Sequence, residues 1–258
     1  MSLPILHSKI IGSGTEHLII FHGLFGQLDN WNTHGRQFGE KYTTHLVDLR
    51  NHGRSFHSDD ASLEAMTTDI LNYMQAHQIE KAHLLGHSLG GRVVMDFAML
   101  YPEKVDHLIV ADMAPKAYQP HHNAIFKALS SVDFSKVNSR KDVEEVLSEY
   151  IPEAGVRQFL LKNVYHTENG GYAFRFNLDA LHHNYEDLVG KDLINGIFNG
   201  PTLFLKGEKS NYILPEDEFV IKSRFPKAKI ETIKNAGHWL HAENPKDFIE
   251  AILHFLNK

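Results

Sequence analysis

The stretch KAHLLGHSLGGRVVMDFAMLYP, residues 81 to 102, decides how the rest of the chain is read. A short apolar run, 82–85, leads into Gly86-His87-Ser88-Leu89-Gly90, and an amphipathic helical pattern follows at once. The pentapeptide is G-x-S-x-G set between a strand and a helix. A strand that turns so abruptly into a helix leaves no room for bulky side chains beside the turn. The serine is then held in a strained conformation, its hydroxyl exposed at the helix N-terminus. A glycine-rich turn merely capped by serine has the same five residues. The strand before it and the helix after it favour a nucleophile.

Working outward, strand-like runs fall at 5–11, 18–21, 44–47, 82–85, 107–111, 202–205 and 229–233. Helical patterns lie between them. In SLEAMTTDILNYMQAHQ, Leu63, Met66, Ile70 and Met74 share a face and Ser62 is placed as N-cap. In PKDFIEAILHFLNK, Phe248, Ile249, Ile252 and Phe255 do the same, and Pro245 suits a first helical turn. Strands alternating with helices predict an α/β fold with a mostly parallel sheet flanked by helices. From about Lys116 to Asn199 the strand signal fades, apart from a weak GYAFRFNL, and helical patterns such as DVEEVLSEYI and GVRQFLLKNVYH take over. The expected organisation is a core of residues 1–115 and 200–258 with a helical cap, 116–199, inserted into it.

Composition narrows the function. At 258 residues the chain can bury a substantial core, and 42% hydrophobic with 22% charged residues is ordinary for a soluble protein. A net charge of -6 argues against nucleic acid or an anionic membrane as partner. With no cysteine there is no disulfide framework, thiolate metal site or cysteine nucleophile. The start, MSLPILHSKIIGSG, lacks the pattern of a signal peptide, and no apolar run approaches a transmembrane length, so a cytoplasmic protein is expected.

Acyl transfer from a serine needs more than the serine. In LIIFHGLFGQLDNW, residues 18 to 31, His22-Gly23 ends a strand and the backbone turns sharply at the same edge of the sheet. Attack on a carbonyl creates an oxyanion, which backbone amides stabilise well. The amides of Leu24 and Leu89 are the candidates, although without Ser88 an ordinary strand-to-loop glycine would explain the first. The base is most often a histidine. Of 19 histidines, His238 in IKNAGHWLHAENP follows the last strand and precedes the final helix, on the edge that carries Ser88. His87 adjoins the serine but points away at a sharp elbow, and His241 is expected to pack locally.

The order HG, VDLRNHGRS (47–55), GHSLGG and GHWLHAENP resembles the α/β-hydrolase family over essentially the whole chain. FHGLFGQLDNW, DLRNHGRS and IVADMAP are similar to the bacterial YbfF-type esterases. The resemblance implies a Ser–acid–His triad, a helical cap and no cofactor, with Ser88 as nucleophile, His238 as base, and Leu24 and Leu89 as oxyanion donors. Most members place the acid just after the penultimate strand. Here that region reads LFLKGEKSNYILPED, and Ser210 or Asn211 holds the expected position. Glu208 lies too close to the strand end for easy reach. Glu216 and Asp217 look like first-turn residues of a surface helix. Asp112, ending the apolar run of HLIVADMAP, can fill the vacancy from a neighbouring strand end, and the YbfF-type pattern has an aspartate there. Without that role it would be a structural aspartate capping the turn at Ala114-Pro115, and Glu208 would be the next candidate.

The remaining motifs read as structural. Asp48 and Arg54 are expected to order a loop, and Asp29 a turn. The pairs His121-His122 and His182-His183 lack zinc-site spacing, and HExxH is absent, so no metal is expected. Phe126, Tyr165, Phe174 and Phe176 are expected mostly to pack, with some facing an acyl group. The expected activity is hydrolysis of short- to medium-chain carboxylic esters, or of acyl-CoA thioesters, by a monomer or small homo-oligomer without a cofactor. The same triad could instead cleave carbon–carbon bonds or run perhydrolysis, or serve a ligand sensor that turns over slowly.

Overall fold

The computed structural model describes residues 4–257; residues 1–3 and 258, which fall in the expected core, lie outside it. All seven expected strands form and join one sheet: β1 (Ser8–Ile11), β2 (His17–Phe21), β3 (Thr43–Val47), β4 (Ala82–His87) and β5 (Val105–Ala111), followed after a long connection by two more. Within that connection β6 (Val164–His166) and β7 (Tyr172–Phe174) make a separate antiparallel hairpin. The sheet is completed by β8 (Thr202–Gly207) and β9 (Ala228–Ile233), in the order β1-β3-β2-β4-β5-β8-β9. Only the β1–β3 pairing is antiparallel. The first strand is shorter than its apolar run suggests, because Ile5 is exposed and pairing starts at Ser8.

The inner strands read as apolar runs because both faces are covered, whereas the edge strands β1 and β9 carry exposed polar residues such as Lys9 and Lys229. One face carries Ile19, Phe21, Val47, Leu84, Leu108, Val110 and Phe204; alternate residues Leu18, Ile20, Leu46, Leu85, Ile109 and Leu203 point to the other. Against the second face pack α1 (Asn32–Phe38) and, from the end of the chain, Phe248, Ile252 and Phe255. Against the first pack α2 (Leu63–Ala76) and α3 (Leu89–Leu100). Ser62 does cap α2, its side chain accepting from the Ala65 amide. Each fully buried aliphatic or aromatic side chain contributes about 1.5–3 kcal/mol. Two extended apolar faces therefore dominate the stability.

The connection between β5 and β8 holds α4 (Asn123–Ser130), α5 (Arg140–Ser148), α6 (Ala154–Leu161) and α7 (Leu178–Gly190). GVRQFLLKNVYH is not one helix, as its pattern suggests. The helix stops at Leu161 and the β-branched and aromatic residues Val164 and Tyr165 enter the hairpin with GYAF. Phe126, Leu129, Leu147 and Leu181 of this connection share the apolar cluster of α3. After β8 come α8 (Asp217–Arg224), α9 (Leu240–Glu243) and α10 (Pro245–Leu256), the last with Pro245 in its first turn. Asp217 is not a surface residue: it is buried and ion-paired to Lys116. Among the described residues no helix is long and apolar enough to cross a membrane.

Candidate active site

Parallel strands bring their C-terminal ends to one edge, and there β4, β5 and the loop after β9 converge. Ser88 sits between β4 and α3 with φ 53° and ψ -116°, a conformation that non-glycine residues rarely adopt. The turn closes only because its neighbours lack side chains. A Cβ on Gly90 would lie 2.5 Å from the Phe21 carbonyl oxygen and 2.6 Å from that of His22, while one on Gly86 would lie 2.2 Å from the Gly90 oxygen. The strain leaves the Ser88 hydroxyl facing a cleft, 3.1 Å from His238 Nε2.

His238 Nδ1 lies 2.8 Å from Asp112 Oδ2. A carboxylate only accepts, so Nδ1 carries the proton and Nε2 is left to accept from Ser88. His238 is held at two further points, one on its ring and one on its backbone. Tyr212 stacks on it at 3.7 Å between ring centroids, and His87 Nε2 donates to the His238 carbonyl at 2.8 Å. Burial lowers the His87 pKa to about 3, so it stays a neutral donor.

Asp112 is fully buried, with φ 52°. Its Oδ1 accepts from the Gly207 amide at 3.0 Å, and its Oδ2 also accepts from Ser210 Oγ. Ser210, which stands where an acid was expected, thus donates to the carboxylate that reaches in from β5. The turn at Ala114 does not depend on Asp112, since Tyr118 accepts from the Ala114 amide. Glu208 instead accepts from the Asn235 amide. His241 stacks on Trp31, away from the hydroxyl.

Leu24 follows β2 and Leu89 opens α3, and among the described residues neither amide has a protein acceptor. The loop carrying Leu24 is braced from below. His22 Nδ1 donates to the Gly23 carbonyl at 2.8 Å while its Nε2 accepts from the Leu49 amide at 3.1 Å. Asp48 takes the Leu28 and Arg54 amides at 2.7 and 2.9 Å, and Arg54 pairs with Asp29, so VDLRNHGRS orders a loop as its sequence suggests.

Two cavities meet at the serine. The larger, about 540 Å³ with its solvent-filled mouth, is lined by His238, Trp239, Phe159 and Val156. The smaller, about 380 Å³, is lined by Leu89, Met113, Leu188, Val189 and Tyr212. Of the aromatics singled out in the connection, Phe126 and Phe176 are buried in the apolar cluster and line neither cavity. Ile125, Phe159 and Trp239 line the larger cavity instead, and His121 and His122, set aside as a non-metal pair, also reach the site. No local pattern distinguishes these residues from packing ones.

Residues 16–136 match the family described as alpha/beta hydrolase fold. The chain is 38% identical to the sn-1-specific diacylglycerol lipase ABHD11 of Mus musculus, over 98% of this chain and 85% of that protein. It is 35% identical to Esterase YbfF of Escherichia coli, over 93% of this chain and 92% of that one. Among solved structures, a marine microorganism esterase superposes with a TM-score of 0.95 at 41% identity, covering 98% of this chain and 100% of its own.

Proposed function

From the premise that the chain belongs to the α/β-hydrolase family, we propose that it is a serine carboxylic ester hydrolase with Ser88 as nucleophile, His238 as base and Asp112 as the acid that orients it. The observation that carries this reading is the unbroken relay from Ser88 Oγ to His238 Nε2 at 3.1 Å and from Nδ1 to Asp112 at 2.8 Å. Ser88 Oγ attacks the ester carbonyl as its proton passes to Nε2. The carbonyl oxygen becomes an oxyanion facing the amides of Leu24 and Leu89. Nε2 then returns the proton to the departing alcohol, leaving an acyl-enzyme that water hydrolyses by the same route in reverse.

The leaving oxygen must lie within reach of His238, which borders only the larger cavity. The alcohol therefore occupies that cleft and the acyl chain the smaller apolar one. The apolar lining of this smaller cavity, Leu89, Met113, Leu188 and Val189, suits a short- to medium-chain acyl group. Residues 116–199 act as the cap, supplying Leu188 and Val189 to the acyl side and Ile125 and Val156 to the alcohol side. Steady-state hydrolysis of p-nitrophenyl butyrate by wild type and Ser88→Ala tests the assignment, with circular dichroism to verify folding. Wild type turns over and Ser88→Ala loses about 10⁴-fold or more in kcat. A folded Ser88→Ala enzyme of near-normal rate overturns it.

A further inference from the structure

Leu24, Ser88 and His122 are the three residues that line both cavities. Two are already placed, as oxyanion donor and nucleophile. His122 stands just before α4, half-buried, and its protonation is settled by its neighbour. The Tyr185 hydroxyl accepts the backbone amides of His121 and His122, each at 3.1 Å, which uses both lone pairs of its oxygen. Among the described residues its own proton has one acceptor in reach, His122 Nδ1, at 2.5 Å. Nδ1 therefore accepts, and the ring proton sits on Nε2. Protonating Nδ1 would set a third donor against the same oxygen. Burial points the same way, lowering the His122 pKa to about 3. Nε2–H is thus a fixed neutral donor on the wall where the two cavities join.

An ester bound across that junction has its acyl chain in one arm and its alcohol in the other. The atom at which the arms join is the bridging oxygen. We propose that His122 Nε2–H donates a hydrogen bond to the bridging oxygen of the scissile ester and stabilises it as it leaves as an alkoxide. His122 transfers no proton. The proton that reaches the alkoxide is the one His238 took from Ser88, and the bridging oxygen has lone pairs for both donors. The inference rests on Ser88 being the nucleophile and adds a third fixed donor to the two amides.

Such a bond matters more as the leaving group becomes more basic, since more charge collects on the oxygen. The test is kcat/KM, which reports acylation, for p-nitrophenyl, phenyl, trifluoroethyl and ethyl butyrate. His122→Phe loses about 10- to 100-fold on ethyl butyrate and less than about 3-fold on the p-nitrophenyl ester. His122→Gln, whose amide keeps a donor, recovers most of the ethyl butyrate rate. Tyr185→Phe keeps the packing but frees the imidazole to take either tautomer, so it steepens the same leaving-group dependence. It also stands in should His122→Phe fail to fold. A loss equal across the four esters, or none, overturns the inference while leaving the Ser88 assignment intact. Turnover surviving in Ser88→Ala overturns both.

Discussion

Asp112 is the residue on which position and chemistry pull hardest against each other. A left-handed backbone and complete burial both disfavour an aspartate, and the three hydrogen bonds its carboxylate accepts offset that cost. All of those contacts donate: Gly207 N to Oδ1, and Ser210 Oγ and His238 Nδ1 to Oδ2. An asparagine cannot accept them all. Its NH₂ must face either the Gly207 amide or the histidine, and in the second case it forces the wrong tautomer. Asp112→Asn is therefore expected to lower kcat on p-nitrophenyl butyrate by about 10⁴-fold. Ser210→Ala, which removes one donor and leaves the carboxylate, lowers it roughly 3- to 10-fold. Glu208→Gln leaves it unchanged, because Glu208 serves the Asn235 amide. A dead Glu208→Gln beside an active Asp112→Asn would reverse the assignment.

At the scale of elements, α3 does two things. Its N-terminus presents Ser88, and one turn further on Arg92 ties both ends of the connection between β5 and β8 to the sheet's helix layer. Arg92 is fully buried; it donates to the carbonyls of Lys116 and Lys191, near the two ends of the connection between β5 and β8. No carboxylate lies within ion-pairing distance of it among the described residues. Two distant chain segments thus share one anchoring side chain, beside the Lys116–Asp217 pair and the Asp96 contact to the Ile194 amide. Arg92→Met fills much of the same volume but leaves both carbonyls unpaired, at about 1–3 kcal/mol for each buried group. Limited proteolysis should then cut within 116–199 sooner than in wild type, with KM raised more than kcat is lowered. An unchanged cleavage pattern would show that apolar packing of this connection on α3 suffices.

The whole molecule carries an unusual load of buried histidine. Burial lowers the pKa of His22 and His45 to about 4, and that of His52, His87 and His122 to about 3. In the unfolded chain each returns to about 6.5. Between those values the unfolded state binds protons that the folded state refuses, so stability falls as pH drops below about 6.5. Each histidine contributes a slope of up to about 1.4 kcal/mol per pH unit. Asp96 works the other way, since burial raises its pKa to about 6 and the folded state takes up a proton there first. Burial raises the pKa of Asp48 and Asp69 as well, and these three carboxylates offset only part of the five histidines. Urea midpoints should therefore be clearly lower at pH 5.5 than at pH 7.5, and equal midpoints would mean the histidines titrate in the folded protein.

Much of this was legible in local sequence. All seven expected strands formed; the inner ones are apolar runs covered on both faces, and the edge strands β1 and β9 pair although part of each is exposed. Ser88 and the two glycines beside it announce the elbow, since only that triplet survives its steric constraints. The resemblance to α/β-hydrolases followed from such short motifs. What no local pattern holds is which distant groups meet. His238 lies 150 residues from Ser88 and 126 from Asp112 in the chain, and Ser210 reaches Asp112 across 98. GVRQFLLKNVYH split into helix and strand because its second half found a partner in GYAF, and His122 became a donor at the cleft because Tyr185 closed on it from α7. Hydrogen-bond partners, tautomers and the shape of a cavity belong to packing, and packing exists only once the chain has folded.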